Sequence, residues 1–568
     1  MECDFRMNCI KKGGFSNNFL ENNKKLRVGL ILNDYHLERW EYNILEAITR
    51  SDYATLELGI INKNRNGTTK YSDKPVSDRK TFFYHTYTRL EKRISQCKPD
   101  ASALIDTRKF LENVPKIEIQ PKMDIYYDYV EEEDVKKIKE FDLDVIIKCG
   151  FRTLKGDILN AANYGIWSYH YSDETRVQGG PPGFWETFER MGERGVTLQI
   201  LPKEDREDGI VLYRSYFSCE SHMVNLNNNR CYLTSSFFVP RTLKKLHTIG
   251  DEAFFDAIEQ ENKKIKFYQY PVYSIPTNLI FLKMLIQHFY RIGAETIRTN
   301  FFPKKWFLLY DLNDKISTSF SRFKKIIPPG DRFWADPHVF FKDDTYYIFI
   351  EEYLYKQKKG HISLIEMQQS GKYTDPIKVL EEPFHLSYPH IFENNGTLFM
   401  IPETQQSHSI NLYECTDFPT EWKHRETLID SVDAVDSTIL LHKNRWWLFT
   451  NIVEPGGTEN YNELSLFYSD NPLSRDWHSH PLNPVISDIK SARSAGSIFK
   501  QNDRLYRPSQ CGNPYYGYGI KLNEIVTLTE KEYQEKEIVF IEPKWEKKVK
   551  GIHTFCYENR LTMIDAFD

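Results

Sequence analysis

The sequence predicts a multidomain protein in which a doubly wound α/β domain and an all-β five-bladed propeller are joined by a helical bridge. Three observations carry this prediction: a length of 568 residues, alternating strand and helix patterns in the first half, and five repeats in the second. Single hydrophobic cores stop growing near about 250–300 residues, so a chain of this length should divide. We expect a polar tail over residues 1–24, the α/β domain over 25–235, the bridge over 236–303 and the propeller over 304–568.

Strand and helix patterns alternate from Lys25 onward. Apolar runs such as LRVGLIL, ATLELGIIN and LDVIIKCGF are typical of strands buried in a parallel sheet, and the segments between them carry helical spacing. This alternation predicts a parallel sheet covered by helices on both faces. Such sheets bind ligands at the carboxyl ends of their strands. Because His170 follows the short apolar run Ile166–Tyr169, the sequence places a histidine at that edge.

The second half contains five self-similar segments, each a strand, a polar turn and a strand. They begin at Ala335, Ser387, Val435, Ser494 and Gly551 and lie about 50 residues apart, which is the length of a four-stranded propeller blade. Five repeats predict five blades. The run KWFLLYD before the first repeat is expected to supply a strand that closes the ring.

Polar residues recur at equivalent places in these repeats. One set begins the repeats, at Asp336, Tyr388, Asp436, Ala495 and Gly551; a second set follows their second strands, at Glu351, Glu403, Asn451, Gln510 and Ala566. The recurrence predicts a sugar-binding funnel, with satisfaction of backbone groups at strand ends as the alternative. The predicted sugar-site residues are Asp336, Glu351, Tyr388, His390, Glu403, Asp436, Arg493 and Arg507.

Composition excludes several other classes of protein. Hydrophobic residues at 40% and charged residues at 27% are typical of a soluble globular chain, and a net charge of −5 gives no reason to expect nucleic acid as a partner. Nine cysteines without a C-x-x-C pair argue against a disulfide framework and a zinc site, so no metal is predicted. The oligomeric state stays open.

The sequence also bears on localisation. The polar N-terminus has no apolar export core, which predicts a cytoplasmic protein, and no run is long enough to cross a membrane. The amphipathic run Leu279–Ile292 is interpreted as a helix packed between domains, with contact at a membrane surface as the alternative.

Residues from Lys25 to about Ser218 resemble the folate-dependent formyltransferases. The motifs that carry the resemblance are SYH, RVQGGPP, GVTLQIL and EDREDGIVL, which begin at Ser168, Arg176, Gly195 and Glu204 and follow the family's order and spacing. The resemblance implies a Rossmann-type formyltransferase-like domain with 10-formyltetrahydrofolate as cofactor. It also implies formyl transfer to the amine of an amino sugar, in nucleotide-linked form.

The same resemblance assigns site residues. His170 falls on the family's histidine, Ser168 stands where the family has asparagine, and Glu207 or Asp208 takes the place of its aspartate. His170 and the carboxylate would remove the amine proton, and Ser168 would donate a hydrogen bond to the oxyanion.

Further residues are assigned to substrate and cofactor binding. Arg152 and Arg176 would grip an anionic group, with surface arginines as the alternative. A rigid turn, containing Gly179, Gly180 and Gly183, would let a ligand approach the backbone.

Residues from about Lys304 to Asp568 resemble the propeller of the glucosamine inositolphosphorylceramide transferase family, which is related to five-bladed glycoside-hydrolase propellers. RFWADPHVF, HLSYPHIFENNG, AVDSTIL and SARSAGSIF are among the motifs that carry it. Because Tyr388 replaces a carboxylate of the related hydrolases, sugar binding is favoured over cleavage.

The combined prediction is a transferase of surface-glycan biosynthesis that formylates an amino sugar held by the propeller. The alternatives are glycosidase or glycosyl transferase chemistry in the propeller with an accessory first domain, or a non-catalytic glycan-binding protein.

Overall fold

The computed structural model describes residues 24–63, 79–124, 127–172, 177–203, 209–263, 272–301, 304–316, 320–453 and 461–568. The chain forms two compact units. The first comprises the described parts of Met1–Trp185, Gly195–Ser215 and Met223–Leu285; the second comprises those of Glu186–Arg194, Tyr216–His222 and Ile286–Asp568. The predicted bridge over 236–303 is therefore not a third unit.

The described strands before the propeller are β1 (Leu26–Leu32), β2 (His36–Glu38), β3 (Ala54–Asn62), β4 (Leu104–Asp106), β5 (Lys116–Ile119), β6 (Lys122–Met123), β7 (Tyr127–Tyr129), β8 (Val145–Lys148), β9 (Thr153–Lys155), β10 (Ile166–His170), β11 (Gln178–Gly179), β12 (Glu193–Ile200), β13 (Ile210–Ser218) and β14 (Val272–Tyr273). The described helices are α1 (Arg39–Arg50), α2 (Phe82–Ile94), α3 (Glu132–Lys139), α4 (Phe184–Phe188), α5 (Val224–Ser235), α6 (Phe238–Ile249), α7 (Asp251–Asn262) and α8 (Asn278–Phe301).

A seven-stranded sheet forms the centre of the first unit, in the order β13-β12-β10-β8-β1-β3-β5. Five of these strands, from β10 to β5, pair in parallel, and β12 runs antiparallel to β10. The parallel part follows the doubly wound order, because the chain reverses direction across the sheet after β5. Its core consists of aliphatic side chains from the strands and α3, including Ile31, Leu58, Ile60 and Ile146.

Five antiparallel sheets make up the second unit. Their strands, sheet by sheet from the inner strand outward, are β17 (Arg332–Lys342), β18 (Thr345–Leu354), β19 (Lys359–Gln368) and β20 (Ile377–Leu380); β21 (Ser387–Asn394), β22 (Thr397–Glu403), β23 (Ser409–Asp417) and β24 (Glu421–Asp430); β25 (Ala434–His442), β26 (Arg445–Ile452), β27 (Glu463–Ser469), β28 (His478–Ser479) and β29 (Ile486–Ser487); β30 (Phe499–Gln501), β31 (Arg504–Cys511), β32 (Gly519–Leu528) and β33 (Tyr533–Ile541); and β34 (Phe555–Glu558), β35 (Leu561–Phe567), β15 (Trp306–Leu312) and β16 (Lys324–Ile326).

Each of the five repeats forms a hairpin because its polar turn residues can adopt a left-handed backbone conformation. In each inner hairpin the two turn residues both have positive φ, as at Asp343-Asp344, Asn395-Gly396 and Lys443-Asn444. Two left-handed residues form the two-residue turn that matches the twist of the flanking strands, and Asn, Asp and Gly adopt that conformation at low cost.

Hydrophobic clusters between consecutive sheets close the ring. Each of five clusters joins one blade to the next, and the last joins the fifth blade to the first through residues such as Leu308, Trp334 and Ile348. The closing strand β15 pairs with β35 along its whole length, with Leu308 opposite Asp565. The second unit is therefore a five-bladed propeller, as the repeats predict, and the run Lys305–Asp311 closes it.

Truncation of the closing strand tests this packing. Leu308 is fully buried between the fifth and first blades. We expect Leu308→Ala to lower the free energy of unfolding by about 2–5 kcal/mol, because it removes buried methyl groups and leaves a cavity. Chemical denaturation followed by tryptophan fluorescence measures the change. Leu441→Ala, at a position 52% exposed on β25, is the matched control; equal losses in the two variants would contradict closure by β15.

Candidate functional site

The inner strands of three blades are distorted where their first polar residues stand. The pairing register shifts between Ala335 and His338 and at the equivalent places of the next two blades. Asp336, Tyr388 and Asp436 all have φ values of 44–51°, a left-handed conformation that non-glycine residues seldom adopt. The shared bulge gives these three side chains the same position in their blades.

Asp336 belongs to a buried network with the fifth blade. Its carboxylate accepts a hydrogen bond from the Thr554 hydroxyl at 2.7 Å, and His553 Nε2 lies 3.8 Å away. The other ring nitrogen of His553, Nδ1, pairs with Asp565 at 2.6 Å. The Asp565 carboxylate also accepts the backbone N–H groups of Asp336, His553 and Thr554. Asp565 therefore fixes the orientation of both Asp336 and His553.

Asp436 is held by an arginine from the fourth blade. Arg493 Nε lies 2.5 Å from its carboxylate, and the Gln510 side chain donates to the same oxygen at 3.1 Å. A second carboxyl group, Glu403, lies 3.9 Å from Arg493. Arg493 thus stands between carboxyl groups from the second and third blades.

Burial and mutual repulsion change the proton affinities of this cluster. Burial, with smaller contributions from neighbouring charges, raises the pKa of Asp336 to about 6 and that of Glu403 to about 8. Burial and the charges of Asp336 and Glu403 hold the pKa of Glu351 well above its usual range. Glu403 therefore holds its proton to a higher pH than Asp336 does.

Two cations, His553 and Arg493, lie beside these carboxyl groups and remain favourable in their charged forms. Although burial disfavours its charge, Asp565 and Asp336 raise the pKa of His553. Asp436 does the same for Arg493, whose pKa lies well above its usual range despite burial. Because opposite charges favour the ionised form, these pairs keep part of the cluster charged in a buried setting.

Aromatic rings form the walls beside the cluster. The Arg493 guanidinium lies 4.8 Å from the Tyr461 ring centre and 5.1 Å from that of Tyr516. The Trp306 ring stacks on His553 at 4.0 Å. A pocket opens at Arg493; the residues lining it are Ser218, Glu220, Tyr461, Ile489, Arg493, Gln510, Gly512 and Tyr516. Aromatic faces, an arginine and a carboxyl group around one opening suit a sugar ring and its hydroxyls.

The structure separates the predicted sugar-site residues into two groups. Asp336, Glu351, Glu403, Asp436 and Arg493 all belong to the acidic cluster: Arg493 contacts Glu403 and Asp436, and the charges of Asp336 and Glu403 act on Glu351. This group lies together, as the recurrence predicts.

Tyr388 and His390 form the second group, whose polar atoms bond to neighbouring inner strands. The Tyr388 hydroxyl is fully buried and bonds to Thr438 at 2.9 Å and to the Gly496 N–H at 2.8 Å. His390 Nε2 lies 3.1 Å from the Ile439 carbonyl, and burial lowers the pKa of its imidazole to about 4. Tyr388 acts on the cluster through its backbone N–H, which donates to Asp336 at 3.2 Å.

Arg507 requires a correction. Its side chain is 1% exposed and pairs with Glu535 of the same blade through two bonds of 2.8 Å. It also donates to the Ser491 carbonyl at 2.6 Å. These contacts make Arg507 a structural link within the fourth blade, outside the acidic cluster.

Sequence reasoning misses four members of the site: Asp565, His553, Tyr461 and Tyr516. In the fifth repeat the equivalent polar position was placed at Ala566, whereas the structure puts Asp565 beside His553. The aromatic residues Tyr461 and Tyr516 come from irregular segments between strands. The repeat pattern signals neither of them.

The first unit holds the histidine predicted at a strand end. His170 is the last residue of β10, and its Nδ1 lies 3.0 Å from the Ser172 carbonyl. A carbonyl can only accept, so Nδ1 carries the hydrogen and Nε2 is the basic nitrogen. Ser168 lies two residues earlier, opposite Gln199. Glu207, Asp208 and Arg176 lie outside the described residues.

The other predicted residues of this unit have structural contacts. Arg152 Nε donates to Asp128 at 2.9 Å, and its guanidinium also reaches two backbone carbonyls, which favours a structural role over anion binding. Gly179, Gly180 and Gly183 all have positive φ. A Cβ at Gly179 would lie 2.7 Å from the Tyr273 carbonyl oxygen, so packing against β14 accounts for that glycine.

One group of described residues has metal-binding geometry. Asp336, His553 and Asp565 offer ligand atoms that lie within 4.8 Å of one another. Their hydrogen bonds already pair His553 with Asp565.

Comparison with known proteins supports the resemblance of the second half. Residues 319–564 match the family described as Glucosamine inositolphosphorylceramide transferase 1, N-terminal. Glucosamine inositolphosphorylceramide transferase 1 of Oryza sativa subsp. japonica is 34% identical over 206 residues, covering 36% of this chain and 27% of the relative. The protein of the same name from Arabidopsis thaliana is 33% identical over 211 residues, covering 37% and 27%. This chain thus spans about 27% of the relatives' length.

Solved structures similar to this chain include two glycoside hydrolases. A family 117 enzyme from Zobellia galactanivorans aligns with 10% identity and a TM-score of 0.31, covering 47% of this chain and 90% of its own. The family 32 β-fructofuranosidase of Bombyx mori aligns with 12% identity and a TM-score of 0.32, covering 41% and 55%. The formyltransferase resemblance of the first unit stays a prediction.

The elevated pKa of Glu403 predicts a pH-dependent effect on stability. A carboxyl group whose pKa is higher in the folded protein stabilises it fully at low pH, and this contribution is lost as pH rises through about 8. We therefore expect the melting temperature of Glu403→Gln, relative to the unchanged protein, to improve between pH 5 and pH 9. Thermal denaturation at both pH values measures it. Glu393→Gln, at an exposed position of β21, is the control; a pH-independent difference for Glu403→Gln would contradict the assignment.

Proposed function

We propose that this protein is a carbohydrate-active transferase whose reaction centre is the acidic cluster of the propeller. The observation that carries the proposal is a cluster of carboxyl groups around Arg493 and His553, in which Glu403 holds its proton to a higher pH than Asp336 does. Glycosyl chemistry needs a pair of carboxyl groups, one to give a proton and one to take it.

The roles of the two carboxyl groups follow from their surroundings. Asp336 receives hydrogen bonds from Thr554 and the Tyr388 backbone, which stabilise its ionised form and aim the carboxylate. It acts as the general base for an acceptor hydroxyl. Glu403, kept protonated by burial and by Asp436, is the general acid.

The proposed step transfers a sugar to an acceptor alcohol. The acceptor oxygen forms a bond to the anomeric carbon as its proton passes to Asp336. The bond between the anomeric carbon and the leaving oxygen breaks, and Glu403 protonates that oxygen. Water in place of the acceptor would give hydrolysis by the same groups, so access of water decides between the two outcomes.

The charge of the cluster favours an amino sugar as substrate. Five carboxyl groups, Asp336, Glu351, Glu403, Asp436 and Asp565, face two cations, Arg493 and His553. Burial and, to a smaller extent, neighbouring carboxylates raise the pKa of Glu351 and Glu403, and a ligand ammonium group would offset this effect. The relatives' name, glucosamine inositolphosphorylceramide transferase, refers to an amino sugar and supports the same substrate class. Whether the sugar is linked to a nucleotide is left to experiment.

Substitutions of the two carboxyl groups test the proposed roles. We expect Asp336→Asn and Glu403→Gln each to lower turnover of an amino-sugar donor about 10²–10⁴-fold, the usual contribution of a positioned acid or base. Product formation with amino-sugar donors and alcohol acceptors measures this. His170→Ala, in the first unit, is expected to leave turnover unchanged. If His170→Ala abolished activity and Asp336→Asn did not, the reaction centre would lie elsewhere.

The pH dependence gives a second check. Protonation of Asp336 removes the base below about pH 6, and ionisation of Glu403 removes the acid above about pH 8. We expect a bell-shaped profile of kcat/KM between these limits. Glu403→Gln should flatten the alkaline limb of the residual activity. An alkaline limb that is unchanged in that variant would contradict the role of Glu403.

Formyl transfer in the first unit is the second candidate. It is favoured by His170 at the end of β10, with its Nε2 as the basic nitrogen. The described donors fit 10-formyltetrahydrofolate only in part, because Ser168 supplies a short hydroxyl where the formyltransferases have an amide. Cytoplasmic localisation stays a prediction.

Folate binding decides this second candidate. If the first unit binds a stable formyl-folate analogue, a concentration 100 times the dissociation constant should stabilise the protein by about 2.7 kcal/mol. Thermal denaturation with and without the analogue measures it, and His170→Ala should reduce the shift. No shift at saturating analogue would remove formyl transfer from consideration.

A further inference from the structure

The helices α2 and α8 carry an unusual number of exposed apolar side chains. On α8, Leu279 is 81% exposed, Ile286 64% and Tyr290 77%. The exposed apolar residues of the two helices, here called the apolar strip, are Phe82, Phe83, Leu90, Ile94, Leu279, Ile280, Leu282, Ile286, Phe289, Tyr290, Ile297 and Phe301. Exposed apolar side chains that stand together on a helix mark an interaction site in a folded protein.

The strip is the outer face of helices that are already packed on their inner face. Phe281 and His288 of α8 are 1% and 2% exposed, and Phe281 contacts Tyr84 of α2. The beginnings of the two helices are also joined by a hydrogen bond of 3.0 Å from the Phe83 N–H to Asn278 Oδ1. The inner face therefore supplies the contacts that hold the two helices in place. The outer apolar residues are not needed for that packing.

The charges on the same helices have one sign. Their exposed charged residues are Arg89, Lys92, Arg93, Lys283, Arg291 and Arg298. The acidic residues of α2 and α8 are Glu91, which is buried and receives the Val224 N–H, and Glu295, which pairs with Arg190 at 2.6 Å. The exposed surface of these helices thus combines apolar side chains with positive charge, in a protein whose net charge is −5.

This combination points to a negatively charged bilayer surface. Helices with Phe, Leu and Tyr beside Lys and Arg lie in the interface of anionic membranes, where the apolar groups enter the acyl boundary and the cations meet lipid phosphates. A water-soluble protein that docked on these helices would need both an apolar face and an acidic rim. Among the described residues, no helix is long and apolar enough to span a membrane.

We propose that the apolar strip and its basic residues dock the protein on the surface of an anionic lipid bilayer. The side chains of α8 and α2 insert at the interface, and Lys92, Arg93 and Lys283 contact lipid phosphates. Docking on a membrane does not depend on the chemistry of the propeller, so the two can be tested separately.

Vesicle co-sedimentation of the full chain tests the docking surface. The probes are vesicles of phosphatidylcholine alone and vesicles containing equal parts of phosphatidylcholine and phosphatidylglycerol. We expect at least tenfold stronger partitioning to the anionic vesicles, reduced by high salt. Two variants should each lower that partitioning at least tenfold. The first carries Leu279→Gln, Ile286→Gln and Tyr290→Gln, and the second carries Lys92→Gln, Arg93→Gln and Lys283→Gln.

A control variant distinguishes the effect of the apolar strip from that of exposed apolar residues elsewhere in the protein. Val526→Gln, Leu441→Gln and Ile538→Gln change propeller residues that are 50–60% exposed, and partitioning should be unchanged. Circular dichroism establishes that all variants fold. Failure of the unchanged protein to bind anionic vesicles would overturn the proposal. Self-association of the free protein that only the strip variants abolish, without vesicle binding, would assign the strip to a second copy of the chain.

Discussion

The burial of five carboxyl groups around one end of a propeller channel is the constraint on which the candidate site depends. Desolvation raises the pKa of Asp336, Glu351 and Glu403, and neighbouring carboxylates raise it further. Arg493 and His553 offset part of that effect. Asp336 and Glu403 therefore differ in proton affinity although both are carboxyl groups, and the proposed acid and base roles depend on that difference.

The propeller makes this arrangement possible by closing a ring. Asp336 and Asp565 come from the first and last blades, and the hydrogen bond between them exists only because β15 joins β35. The left-handed backbone at Asp336, Tyr388 and Asp436 carries a conformational cost that the blades sustain through their clusters of packed side chains. Backbone strain that a rigid scaffold sustains is typical of a functional site whose side chains must keep a fixed orientation.

The sequence supplied the architecture and part of the site. Repeat length predicted the blades, and polar dipeptides predicted their turns, because both depend on local chemistry. Recurrence also identified Asp336, Asp436 and Glu403. It missed Asp565, because this residue lies one position before Ala566 and so outside the recurring set. It also included Arg507, because a motif cannot show that Glu535, 28 residues later, binds the guanidinium. The position of Tyr516 beside Arg493 depends on the tertiary fold and cannot be predicted from the repeat pattern.

The location of the sugar is the most direct test of this account. A crystal structure of the protein soaked with an amino sugar would show where the ligand binds. The account predicts density for the sugar ring among Asp336, Glu403 and Arg493, with the amino group against a carboxylate and a ring face toward Tyr461 or Tyr516. Density for the sugar beside His170, with none at the propeller, would contradict it.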